Sequence, residues 1–462
     1  MKIYKLITIW IFISLFLPVN ITFAQDQSEY PLYIVQNGDT LSQIAQRFGT
    51  SVEELITVNG IQNPDTIPTG TSLKIPGFNG INGTLEFQAM PLGETLLGLS
   101  IKNNIPLNEL ARLNRIVSPE EVYAGSNLII TKPINDLTLK PLAMIDENSN
   151  LIDISIGSLK NPWMLSLENK LSNNWSILPK EIIYSSLSNG SIQGISGPIT
   201  KIEMDPLPLI QGKTIVIKVT TSEALALTGT LGERSISFFP NGENQFVSLT
   251  GMHAMENPGV VLLSLDGKTP SNQNVHYEQK IILASGNFSQ ESVNGVDPGT
   301  IDPIVIQEED TFLQSQLKKV TTTRYWTDIF KYPVDEPCVG SKFGNRRSYN
   351  NGVYLYFHTG VDFTVCKADN ANIYAAAPGI VAFSGPLPIK GNFTIIDHGW
   401  GVYSGYAHQS EMLIKVGDQV QTGQIIGIIG NTGRSIGYHL HWEIWVNGIQ
   451  VDPLEWVIKP FP

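Results

Sequence analysis

His358-Thr-Gly-Val-Asp362 and His439-Leu-His441 decide how the last quarter of this 462-residue chain is read. Five of its seven histidines fall between positions 358 and 441, so the two motifs are parts of one cluster. His439 and His441 are two apart, and on a strand they point to the same face. His358 and Asp362 are four apart, an even spacing that sets both on one face of an extended segment. Imidazole and carboxylate groups bind Zn²⁺, and an open catalytic site needs three protein ligands with a fourth position left for water. Around the motifs lie strand-like runs at 379–384, 393–397, 401–407, 424–429 and 439–445, separated by glycine-rich turns. A mainly antiparallel sheet with a metal on one face is expected for residues 331–458.

Cys338 and Cys366 flank the His358 motif without a CxxC spacing. In an exported chain a disulfide is the natural expectation, closing a loop that carries His358 and Asp362; a cysteine metal ligand is the alternative. Export is expected from the N-terminus. Lys2 and Lys5 precede an apolar run, Ile7 to Leu17, too short for an ordinary span, and Thr22-Phe23-Ala24 is a small-residue cleavage site. Residues 1–24 are therefore read as a signal peptide, with an uncleaved anchor as the alternative. A secreted or cell-envelope, extracytoplasmic location follows, with no membrane span after cleavage. A net charge of −12 with no basic stripe excludes nucleic acid as a partner.

Upstream the chain repeats with a period of 55. Gly38, Thr40, Leu41, Leu55, Asn59, Gly70, Leu73 and Ile75 return as Gly93, Thr95, Leu96, Leu110, Asn114, Gly125, Leu128 and Ile130. A fainter copy keeps Leu151, Ile154, Leu165, Asn169 and Ile183. The units cover 33–76, 86–133 and a degenerate 141–186, each patterned strand, helix, helix, strand. Thr40 is placed to cap a helix whose apolar positions are Leu41, Ile44 and Phe48.

Residues 198–290 change to short alternating runs and are expected to form an all-β immunoglobulin-like sandwich acting as a spacer. Pro240-Asn-Gly242 and Asp266-Gly267 are its turn signals, and His253 and His276 are read as loop or surface residues without partners. Residues 291–330, rich at first in Asp, Gly, Pro, Gln and Glu, are read as a linker. The aromatics of 323–330 at its end are expected to pack on the last domain.

Two resemblances attach to these patterns. The repeats resemble LysM domains, closely at 33–76 and faintly at 141–186. That likeness implies binding of N-acetylglucosamine-containing glycan, mapped here to Gly38, Asp39, Thr40, Asn59 and Ile61. His358-x₃-Asp362, Tyr406-Ala-His408 and His439-x-His441, with Ala376-Ala-Pro-Gly379, Asp397-His398-Gly399 and Gly430-Asn-Thr-Gly433 between them, resemble the lysostaphin/LytM-type zinc endopeptidases over about 341–455. The likeness implies His358, Asp362 and His441 as Zn²⁺ ligands and His408 and His439 as non-ligand catalytic histidines. It implies peptidoglycan stem and cross-bridge peptides as substrate. The chain has no HExxH motif to supply a glutamate base, so a histidine is expected to handle the proton. Arg346 resembles a structural family position, His398 is expected to be a bystander in a tight turn, and Asp369 a solvated loop residue. Tyr354 and Tyr356 precede His358 without a spacing that assigns either. The expected whole is an exported cell-wall hydrolase that holds glycan and cuts peptide cross-links. A non-catalytic scaffold or activator of another hydrolase is the alternative.

Overall fold

A computed structural model describes residues 30–78, 80–118, 121–132, 139–145, 150–172, 177–179, 181–186, 188, 197–366, 368 and 370–462. The expected signal segment 1–24 and Asp369 lie outside these residues. Among the described residues no helix is long and apolar enough to cross a membrane. The chain divides into two units, one ending at Leu85 and one beginning at Glu86.

In the first unit β1 (Leu32–Ile34) pairs antiparallel with β2 (Ser72–Lys74), and α1 (Leu41–Phe48) and α2 (Val52–Asn59) lie between them in sequence. Thr40 begins α1 with a capping box: its hydroxyl accepts from the Gln43 amide, and the Gln43 side chain accepts from the Thr40 amide. Gly49, at φ 63°, ends the helix in a left-handed turn that suits glycine. Leu41, Ile44, Phe48, Leu55, Leu73 and Ile75 are buried. Each such side chain contributes roughly 1.5–3 kcal/mol by leaving water. Asn59 ties the last helix to the closing strand. Its Nδ2 donates to the Leu55 and Lys74 carbonyls, and its Oδ1 accepts from the Lys74 amide.

The pattern recurs in β3 (Thr84–Ala89), α3 (Leu96–Lys102), α4 (Leu107–Leu113) and β4 (Asn127–Thr131). A third set is β5 (Lys140–Met144), α5 (Leu151–Ser158), α6 (Pro162–Glu168) and β6 (Ile182–Ser185). Asn114 makes the same amide brace to Leu110 and Ile129, and Asn169 to Leu165 and Tyr184.

Residues 199–284 form nine strands: β7 (Ile199–Asp205), β8 (Leu209–Ile210), β9 (Thr214–Thr221), β10 (Ala226–Leu231), β11 (Arg234–Ile236), β12 (Phe239–Pro240), β13 (Gln245–Gly251), β14 (Gly259–Lys268) and β15 (Asn274–Ala284). They make two sheets, ordered β11-β10-β14-β15-β8 and β12-β13-β9-β7. Ile215, Ile217 and Val219 of one sheet share a core with Leu263, Leu265 and Ile281 of the other. Three expectations need correction here. Asp266-Gly267 is not a turn: both residues continue β14, pairing with His276 and Val275. Gly267 is required because a Cβ there would lie 2.8 Å from Leu225 Cγ. Nor are the histidines without partners. His276 pairs with Asp266 and Glu278, and the His253 ring meets Phe357 edge-on. Finally, the sandwich is no free spacer. Val216, Phe239, Val247 and Leu249 join the core of the C-terminal domain, and Lys213 pairs with Asp452 and Glu455.

The 291–330 segment also differs from a tether. It contains β16 (Gln290–Val293), which starts one residue earlier, and α7 (Pro303–Leu317), begun by an Asp302 cap with proline in the first turn. Leu313 and Leu317 of α7 are buried with Phe393, Tyr403 and Trp445. The Glu309 carboxylate accepts the backbone amides of Ile389 and Lys390. Polar composition hid a helix that buries only Glu309, Leu313 and Leu317 and leaves Ile304 exposed. Beyond α7, Trp326 and Phe330 pack against Trp456 as the aromatic pattern implied.

The C-terminal domain follows: β17 (Cys338–Ser341), β18 (Arg346–Tyr349), β19 (Tyr354–Phe357), β20 (Val361–Thr364), β21 (Asn372–Tyr374), β22 (Gly379–Leu387), β23 (Gly391–Gly399), β24 (Val402–Gln409), β25 (Glu411–Met412), β26 (Gln419–Val420), β27 (Ile425–Ile428), β28 (Leu440–Val446) and β29 (Ile449–Val451). The main sheet runs β17-β20-β28-β24-β23-β22-β26, with β29 on β28. A second sheet, β16-β18-β19, sits where β16 pairs in parallel with β18. Cys338 and Cys366 form a disulfide, with their Cα atoms 6.1 Å apart.

Candidate metal centre

Three adjacent elements deliver the cluster. Asp362 lies on β20 opposite His441 of β28, and His441 in turn lies opposite Ala407 of β24, next to His408. His358 stands between β19 and β20, where the chain passes from one sheet to another. It therefore reaches Asp362 across a bend, and not along one extended segment as the even spacing implied.

His358 Nε2, Asp362 Oδ1 and His441 Nδ1 lie 2.9, 3.0 and 2.8 Å apart, taken pairwise as His358–Asp362, His358–His441 and His441–Asp362. All three residues are buried. Their hydrogens are committed elsewhere. His358 Nδ1 is 2.8 Å from the Lys342 carbonyl, which only accepts, so Nδ1 carries the proton and Nε2 is bare. His441 Nε2 faces the Glu443 carboxylate at 3.2 Å, so its Nδ1 is bare. The Asp362 carboxyl is held well below its usual range in spite of its burial. Burial lowers His358 to about 4, so it is a neutral donor near neutral pH. Three hydrogen-free acceptors at this separation repel one another unless a cation lies among them. The donor set, two imidazoles and a carboxylate, suits zinc. A carboxylate behind a ligating histidine, as Glu443 stands behind His441, is the usual support for such a ligand.

His408 and His439 stand beside this triangle. His408 Nδ1 is 2.7 Å from the Thr432 carbonyl and His439 Nδ1 is 2.8 Å from the Gly437 carbonyl. Both rings are therefore held with Nε2 as the bare nitrogen. His439 Nε2 lies 3.7 Å from Asp362 Oδ1, and the His408 ring centroid is 4.8 Å from that of His439 and 5.8 Å from that of His441. Burial, and then the neighbouring His439 and His441, hold His408 well below its ordinary value, so it is neutral and able to accept a proton. A cavity of about 290 Å³ opens over these groups, lined also by Lys390, Arg434, Tyr349 and Tyr438.

Four site residues have no counterpart in the motif reading. Arg347 Nη2 is 2.8 Å from Asp362 Oδ2, and Arg347 Nε is 3.0 Å from Glu291 of β16. Lys390 Nζ is 2.8 Å from Glu443 Oε1. Of these only Glu443 was legible, because the every-second-residue rule that joins His439 to His441 extends to it. Arg346 points away from the centre to the Ala254 carbonyl and the Phe288 ring. Tyr354 and Tyr356 stack on one another outside the cavity lining. His398 is in β23, not in a turn: it is fully buried, bridges the Pro378 carbonyl and the Ser404 hydroxyl, and takes no part.

In the first unit, Gly38 is exposed at φ 86° with open space around it. Asp39 accepts from the Tyr33 hydroxyl, the Gln36 amide and Arg47. Thr40 is engaged as a helix cap, Asn59 in its brace, and Ile61 is half-buried.

The description "Peptidase family M23" matches residues 356–453, and "LysM domain" matches 33–76 and 92–131. The chain thus carries an M23 peptidase domain behind two LysM domains. It is 36% identical over 126 residues to peptidoglycan DD-endopeptidase ShyA of Vibrio cholerae, covering 27% of this chain and 29% of that protein. With ShyC of the same organism the figures are 27% over 212 residues, 46% of this chain and 47% of that one. The chain spans less than half the length of either relative. Among solved structures, the lysostaphin catalytic domain of Staphylococcus simulans is 30% identical, covering 27% of this chain and 95% of that one at a TM-score of 0.24.

Proposed function

We propose that this chain is an exported zinc metalloendopeptidase of the cell envelope, which hydrolyses peptide cross-links in peptidoglycan while its LysM domains hold the glycan. The observation that carries this is the triangle of hydrogen-free acceptors His358, Asp362 and His441, with two fixed imidazoles beside it. Zinc held by these three residues supplies a Lewis acid that polarises a carbonyl and acidifies water. His408 and His439 each turn a bare Nε2 toward the same space. Either can take the proton released as water attacks, and only the ring that has gained a proton at Nε2 can then donate to the carbonyl oxygen as its charge grows. The backbone carbonyls of Thr432 and Gly437 keep both rings in the acceptor tautomer. Glycan binding falls to the exposed Gly38 loop and to Ile61, since Asp39, Thr40 and Asn59 spend their side chains on the fold and leave mainly backbone groups for a sugar. Tethering to the polymer raises the local concentration of cleavable peptide. The strand orders of residues 199–284 also support an immunoglobulin-like sandwich, with β7-β9-β13-β12 in one sheet and β10-β14-β15 in the other. A non-catalytic activator would be favoured by a missing donor, and all three donors and both imidazoles are in place.

Digestion of purified peptidoglycan tests this. New amino groups should appear with the zinc-loaded chain, and should be lost with a chelator and with His441→Ala. Absence of chelator-sensitive release, or unchanged release by the variant, overturns the proposal.

A further inference from the structure

Asp362 uses one oxygen, Oδ1, toward both His358 and His441. A carboxylate turns easily about its last torsion, so the other oxygen must be fixed for Oδ1 to stay at the centre. Arg347 Nη2 holds Oδ2 at 2.8 Å. An arginine there is not harmless by itself. A guanidinium beside a ligand carboxylate opposes the charge of a bound cation and competes for the same acceptor. Glu291 offsets it, with Oε2 accepting from Arg347 Nε at 3.0 Å and from the Ser341 hydroxyl at 2.9 Å. Ser341 Oγ in turn accepts from Arg347 Nη2 at 3.0 Å. The backbone sets this geometry, because Glu291 of β16 lies directly opposite Arg347 of β18 in the parallel register. Neither residue falls within the 356–453 stretch that matches the peptidase family.

Resting on the metallopeptidase reading above, we propose that Arg347 and Glu291 are positioning residues of the metal centre. Arg347 fixes the second oxygen of Asp362. Glu291, supplied by the segment between the sandwich and the peptidase domain, fixes Arg347 and offsets its charge. The chain before the peptidase domain is thereby part of the machinery that sets metal affinity.

The test uses the full chain. Zinc affinity is measured by competition with a chromogenic chelator, ligand geometry by the visible absorption of the cobalt-substituted protein, and folding by thermal unfolding without metal. Arg347→Met should weaken zinc binding roughly 10- to 100-fold, the usual consequence of removing a group behind a ligand, and should shift the cobalt bands. Glu291→Gln should weaken it less, and should add little in the Arg347→Met background, because the pair acts as one unit. Arg347→Lys should restore part of the affinity. If both single variants bind zinc like the wild type, or change only metal-free stability, the positioning role is overturned. Should Arg347→Met not fold, Glu291→Gln, isosteric and partly exposed, decides alone, and unchanged affinity overturns the role. A wild-type chain that binds no zinc would overturn the metallopeptidase reading and this inference with it. Unchanged variants of a zinc-binding wild type overturn this inference alone.

Discussion

His441 turns its Nε2 proton to Glu443 across 3.2 Å, and the Lys390 ammonium holds the same carboxylate oxygen at 2.8 Å. Burial pushes the Glu443 carboxyl up, but Lys390 and His441 outweigh it and hold it at about 2. Glu443 is completely buried, and Lys390 nearly so. Removing one partner of such a pair leaves a charge with no compensation. Lys390→Met should therefore destabilise the metal-free chain by roughly 3–5 kcal/mol. Denaturant unfolding followed by tryptophan fluorescence checks this, and a loss well under about 1 kcal/mol would show that the ion pair is not what keeps Glu443 charged.

His408 and His441 should separate binding from chemistry. His408→Ala keeps all three metal donors, so the purified variant should retain bound zinc while cleavage of peptidoglycan falls roughly 10²- to 10⁴-fold, the range of general acid–base catalysis. His441→Ala should lose both metal and cleavage. Metal analysis beside digestion rates distinguishes them, and loss of zinc from His408→Ala would make His408 a ligand.

Acid should loosen the first repeat before neutral pH does. Burial raises the Asp39 carboxyl, but the Tyr33 hydroxyl, the Gln36 amide and Arg47 outweigh it, and the folded-state value ends below the ordinary one. A lowered folded value contributes stability above the unfolded pKa of about 3.9, and this is lost as pH falls through the folded value. Protection of the Ile44 and Leu55 amides, corrected for the intrinsic exchange rate at each pH, should fall below that range in the wild type. In Asp39→Asn the protection should be lower at pH 7 and nearly independent of acid.

Asn169→Ala should unfold the third repeat locally. The side chain is buried, and the change leaves the Tyr184 amide and two carbonyls without their partner. An orphaned buried group costs about 1–3 kcal/mol. Exchange at the Tyr184 amide should rise accordingly while the peptidase-domain amides keep their protection; protection unchanged at Tyr184 would show that backbone pairing alone suffices.

His439 and His441 were legible because strands have a period of two, whereas His358 and Asp362 were legible by residue type and nearness in sequence, although His358 lies on a bend and on no strand. The repeats were legible because a fixed period needs no knowledge of partners. What sequence hid was pairing at long range. Nothing near Gln290 announces a parallel partner at Arg346, and Arg347 sits beside an arginine that attracts attention by resemblance. Segment 291–330 was misjudged on composition, although Asp302-Pro303 is a helix start that could have been read. Asp266-Gly267 misled because turn dipeptides and strand glycines look alike until the packing of Leu225 is known.

The strand at 290–293 bears on where this molecule can be divided. A fragment begun at residue 331 would lack Glu291, and would expose the face of Phe393, Tyr403 and Trp445 that Leu313 and Leu317 cover. Starting a few residues before Gln290 would still cut the Gly286 amide from the Gln211 side chain that receives it. A fragment that keeps all of these contacts takes in the sandwich, and a gene trimmed to the 356–453 match would encode the donors of the site without Arg347 and Glu291 behind them.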